Sequence, residues 1–118
     1  PGARRVVTVP ADQQWTDSGI DLRRGQAVRL AASGEIYSAP GVRNGPAGDP
    51  ELHHPMALMP GTRHAALIAK IGEAGPTFVV GRGTSGAAVG TGRLYLGVND
   101  LAVRDNSGYF QVEVTLTG

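Results

Sequence analysis

Apolar residues in this chain recur at every second position in short bursts, separated by glycine, proline and small polar residues. Residues 6–9 (Val-Val-Thr-Val) predict a first strand, stopped by Pro10, which lacks the N–H a sheet ladder needs. Residues 18–22 predict a second. Val28 and Leu30 alternate within 27–32, and Ser33-Gly34 then predicts a turn into another strand at 35–37. Residues 65–71 are the most apolar run and predict a central strand, with Gly72 and the β-branched Ile68 and Ile71 arguing against a helix. Residues 77–80, 93–98 and 109–116 complete about eight short strands. The fold class is therefore all-β, a β-sandwich or jelly roll of antiparallel strands. Residues 38–61 are irregular and rich in Pro and Gly, and a connection that long in a compact domain usually carries function.

Composition narrows this picture. A length of 118 residues suits a single domain, 1–118, with one core. Hydrophobic residues make up 41% and aromatics only 5%, so Val, Leu, Ile and Ala must build that core, joined by the lone Trp15 and by Ile20. Eleven basic residues against ten acidic ones leave a formal charge of +1, too little to gather nucleic acid or a membrane surface. The pairs Arg4-Arg5 and Arg23-Arg24 read as solvated faces. The absence of cysteine excludes disulfides, thiolate zinc sites and thiol catalysis. No apolar run approaches the roughly 18 residues of a membrane span. The chain opens on Pro1 rather than Met, as a processed form or an excised domain does, and shows no signal-peptide pattern.

Chemistry concentrates in residues 98–110. There an apolar run delivers Asn99, Asp100, Asp105, Asn106 and Ser107 into one short loop before the alternation resumes. Crowded oxygen donors suit a hard cation such as calcium, which takes six to eight oxygens. The same residue types also build ordinary turns. Gly81, Gly83 and Gly86 match GxGxxG, but a dinucleotide site needs a helix to follow, and Gly90 and Gly92 oppose one. Asp49, Glu51, His53, His54 and His64 could be read as zinc ligands, yet adjacent histidines on an extended segment point to opposite sides. No serine lies in a GxSxG elbow and no carboxylate pair stands out, so no enzyme is expected. His53 and His54, beside Pro55, could hydrogen-bond a ligand hydroxyl or simply be solvated.

Several segments, taken in order, resemble the PA-IL-like calcium-dependent galactose-binding bacterial lectins. They are Arg24 to Gly34 (RGQAVRLAASG), Gly45-Pro46-Ala47-Gly48-Asp49, Leu67-Ile68-Ala69-Lys70-Ile71-Gly72, Asn99-Asp100, and Asn106 to Val112 (NSGYFQV). The resemblance implies a calcium ion held by Asp100, Asp105 and Asn106, with backbone carbonyls from Tyr37 and Val103. It also implies direct coordination of two sugar hydroxyls by that ion, so that Asp100 and Asp105 border the sugar. The primary hydroxyl would be contacted by His54, the residue before Pro55, with His53 as the second candidate. The partners so implied are galactose-containing glycans or other saccharides, with no nucleic acid and no membrane insertion, in a homo-oligomer secreted or exported by a bacterium. Two departures stand out. The loop between Asp100 and Asp105 is two residues shorter than the family's and lacks its Pro-Gly, and Met56, Leu58 and Met59 replace the expected glutamine region. The competing expectation is a non-catalytic structural or protein-interaction domain of the same fold, appended to a larger enzyme, with calcium bracing the loop or absent.

Overall fold

The computed structural model describes residues 3–39, 41–49, 58, 59, 62–100 and 103–117, with side chains of 38, 39, 105 and 117 set aside. Nine strands form among them: β1 (Ala3–Pro10), β2 (Trp15–Leu22), β3 (Ala27–Ala39), β4 (Val42–Asn44), β5 (Leu67–Ile71), β6 (Phe78–Val79), β7 (Gly83–Ala87), β8 (Gly92–Val98) and β9 (Ser107–Thr117). They make two antiparallel sheets. One runs β1-β9-β3-β4, with β7 also paired to β3; the other runs β2-β8-β5-β6. The expected all-β sandwich is the observed architecture, and no described helix is long and apolar enough to cross a membrane.

Alternation explains which faces meet. Leu94, Leu96 and Val98 of β8, Phe110, Val112 and Val114 of β9, Val7 and Val9 of β1, and Ile20 and Leu22 of β2 are all buried in one cluster. Residues two apart on a strand share a face, so each of these runs turns one side to the facing sheet. Burying a side chain of this size contributes about 1.5–3 kcal/mol, so the cluster dominates the stability of a domain with few aromatics.

Two expectations are corrected. Ser33-Gly34 is not a turn: β3 continues through it in unbroken register with β9, Gly34 opposite Phe110. The glycine is needed for close approach, since a Cβ there would lie 2.8 Å from the Tyr109 carbonyl oxygen and its φ is +98°. Trp15 lies outside the core. It pairs with Gly97, which alternates with the inward Leu96 and Val98, and a Cβ on Gly97 would meet the indole at 2.8 Å. The ring therefore lies over Gly97 on the outer face, with the Lys70 ammonium 4.6 Å from its centroid. Ile20 is in the core as expected. The glycine-rich 81–86 stretch runs into β7 rather than a helix, which removes the geometry a dinucleotide would require.

Candidate functional site

One end of the sandwich gathers four chain segments. β8 ends at Val98 and hands on Asn99 and Asp100; a 3-10 turn at Val103–Asp105 leads through Asn106 into β9. The β3–β9 register sets Tyr37 opposite Ser107, so the end of β3 lies beside the start of β9. Ala11, just after β1, closes the fourth side, its amide donating to the Gly108 carbonyl at 3.0 Å. Gly108 permits this meeting, because a Cβ there would be 2.7 Å from the Glu35 carbonyl oxygen.

The polar atoms at this end are interior. Asp100 is 5% exposed and Asn106 6%, where an apolar sandwich would place aliphatic side chains. Asn106 Nδ2 donates to Asp100 Oδ2 at 3.0 Å and to the Ala11 carbonyl at 3.1 Å. Both partners are acceptors, which fixes the amide orientation and turns Oδ1 away from them. That Oδ1 is buried and accepts no hydrogen bond from the described residues. A buried acceptor in that state costs about 1–3 kcal/mol, so it needs a physical reason. An electropositive partner supplies one. Asp100 is further held by Gln14, whose Nε2 donates to its carbonyl oxygen at 2.9 Å, and His64 Nε2 stands 3.7 Å from its Oδ2.

Asn99 is fully buried and serves a different purpose. Its Oδ1 accepts the Met59 amide at 2.8 Å, and its Nδ2 faces the carbonyls of Met59, Thr62 and Arg63 at 3.0, 3.3 and 3.1 Å. Its main chain bonds Ala65 and Ala66 at 3.0 and 2.9 Å. Ala65 has a φ of +66°, a left-handed conformation that side chains other than glycine rarely adopt, and it is completely buried. Such strain persists only where the surroundings over-determine it, and it concentrates at functional sites.

The residues expected from the sequence fall out unevenly. Asp100 and Asn106 are brought into direct contact. The Val103 carbonyl accepts the Asn106 amide at 3.0 Å, which leaves its second lone pair for another partner. Tyr37 reaches this end by register, with its side chain 40% exposed. The Asp105 backbone closes the 3-10 turn, and its side chain lies outside the described atoms. His53 and His54 lie outside the described residues, as does Glu51 of the zinc reading. The remaining members of that reading meet through the main chain, the Asp49 amide donating to the His64 carbonyl at 2.8 Å. Among the described residues no group of three or more His, Asp or Glu side chains gathers. Gln14, the place of His64 beside Asp100 rather than among zinc ligands, and the clamp formed by Asn99 were not anticipated. Only Asn99 had a signal, its place beside Asp100.

Comparison with solved structures then identifies the architecture. The N-terminal domain of EclA, described as a PllA-like lectin, matches with a TM-score of 0.76 at 23% sequence identity, over 95% of this chain and 95% of that one. This chain shares the fold of that lectin domain. A scan of protein-family models and a comparison with curated proteins each returned no match.

The opposite end of the sandwich is apolar. Between β6 and β7 the sheets part around a cavity of about 350 Å³, with Leu22, Leu30, Phe78 and Leu94 among its walls. On the outer face of β2 and β8, Arg93 bonds Asp21 at 2.8 Å and Asp17 at 3.0 Å. The Gly19 amide, and after it the Arg93 guanidinium, hold the Asp17 carboxyl below its ordinary range; the two aspartates hold Arg93 above its own.

Proposed function

We propose that this domain is a non-catalytic, calcium-dependent carbohydrate-binding lectin or module of galactose type. The observation that carries the reading is the buried Asn106 Oδ1, an acceptor with no donor among the described residues, on a side chain that is hydrogen-bonded to the buried carboxylate of Asp100. Oxygen-only donors of this kind fit a hard cation and not a soft one. The Asp100 and Asn106 side chains, with Asp105 and the carbonyls of Tyr37 and Val103, would hold it. When bound, the cation supplies positive charge and coordination positions that sugar hydroxyls can take in place of water. The protein's own part is to fix the oxygens before the ion arrives: Gln14 holds the Asp100 main chain and Ala11 holds the Asn106 amide. The lectin fold supports saccharides as the partner class, and the preference for galactose rests on the resemblance together with His54-Pro55.

Single sugar sites are weak, and several sites on one assembly raise the effective concentration of the second binding event, which favours a homo-oligomer. Calorimetry of calcium-loaded protein against galactose, mannose, glucose and N-acetylglucosamine tests the reading. Heat is expected with galactose and lost on chelation. Calcium binding with no heat from any sugar would favour a structural or protein-interaction domain with calcium as a brace, and turnover of an aryl galactoside would contradict the non-catalytic assignment.

A further inference from the structure

We infer that Asn99 is a positioning residue that couples cation binding at Asp100 to the placement of Met59, Thr62 and Arg63, the segment that follows His53 and His54 in the chain. This rests on the calcium reading above. A fully buried asparagine has one acceptor and two donor hydrogens to satisfy, and here the whole set is spent on one target. Four contacts of 2.8–3.3 Å run from a single side chain to three residues of a neighbouring segment. No ladder of a sheet does this for them. The described hydrogen bond of that segment to itself is the Thr62 amide to the Met59 carbonyl, a turn at 2.9 Å.

Asn99 also cannot move alone. Its amide and carbonyl bond Ala66 and Ala65, carrying the β5–β8 pairing beyond Leu67 and Val98. Asp100 follows it through a tight turn in which the Asp100 amide donates to the Val98 carbonyl at 2.8 Å. The main chain of Asp100 is thus pinned on both sides, its amide by Val98 and its carbonyl by Gln14, and Asn99, inside the turn at 98–100, carries the clamp. A cation that draws the Asp100 carboxylate into its shell stabilises the conformation in which the Asn99 side chain is aimed at Met59. By linkage, whatever orders that segment must then favour the cation by the same factor. An apolar side chain could fill the same volume, but it would take from the Met59 amide and the Thr62 carbonyl their one described partner, and from the Met59 and Arg63 carbonyls one of the two donors each faces.

The test is amide hydrogen exchange with and without calcium on the wild-type protein and on Asn99→Ser, a neutral variant too short to span the gap. In the wild type, calcium is expected to slow exchange at Met59 and Thr62 by about tenfold or more, the effect of a coupling of ordinary size. In Asn99→Ser the ratio with and without calcium is expected to fall to about one, while calcium is still bound, and galactose affinity is expected to drop. A purely structural role would speed exchange in both states and leave the ratio unchanged, which overturns the inference. So does a ratio of one in calcium-bound wild type, an arm that stands even where the variant does not fold. Wild type that binds no calcium removes the calcium reading itself, an outcome distinct from these two.

Discussion

Where β8 runs out and β9 begins, the sandwich is closed by Asn99, Asp100 and Asn106, buried among backbone groups; between β6 and β7 it is left parted around a cavity walled by Leu22, Leu30, Phe78 and Leu94. The same alternation feeds both ends, since Leu94 and Val98 lie on one face of the same strand. What differs is the type of interaction each end uses. Apolar contacts are non-directional and add stability in proportion to area. Hydrogen bonds from buried amides add less net stability but determine where each backbone group must lie. The polar end is therefore built to specify positions, at the expense of an acceptor on Asn106 that no described residue satisfies.

Substitutions at the two ends should separate these roles. Leu94→Ala at the apolar end is expected to cost the most, about 2–5 kcal/mol by urea denaturation, and equally with and without calcium. Asn106→Ala at the polar end is expected to cost only about 1 kcal/mol in chelator, because the lost bonds to Asp100 and Ala11 are partly offset by removal of the orphan Oδ1. The calcium-dependent rise in melting temperature should vanish in Asn106→Ala and persist in Leu94→Ala. A smaller effect lies on the outer face, away from both ends. The Asp17 carboxyl is held below its ordinary range by Gly19 and Arg93, so it binds fewer protons folded than unfolded. Its contribution is present above the unfolded value of roughly 4 and is lost as pH falls through the folded one. Wild type and Asp17→Asn melting curves should differ slightly near neutrality and converge in acid. The group is exposed, so the difference is small. A calcium effect on that difference would tie the face to the polar end.

The strands were legible wherever inward positions alternate cleanly, as at 94, 96 and 98 or 110, 112 and 114. Parity also held the answer for Trp15. Ile20 and Leu22 face inward, which leaves position 15 on the other side, but the scarcity of aromatics argued for the core. Gly34 was misread because a glycine beside a serine looks like a turn, whereas the constraint is a carbonyl on a neighbouring strand. β7, with the sequence GTSGA and every side chain exposed, carries no periodic signal at all. At the site, residue types and order singled out Asp100 and Asn106, and their contact is a matter of register. The hydrogen bond of Gln14 and the approach of His64 to Asp100 span 86 and 36 residues of sequence, separations at which local pattern is silent.

The central claim, that the polar end holds calcium through Asp100, is tested most directly by calorimetric titration of chelator-stripped wild type and Asp100→Asn with calcium. One saturable site is expected in the wild type, with binding weakened at least about a hundredfold in the variant, the equivalent of 2.7 kcal/mol or more. Wild type without a saturable site, or a variant that binds calcium as tightly, would contradict it.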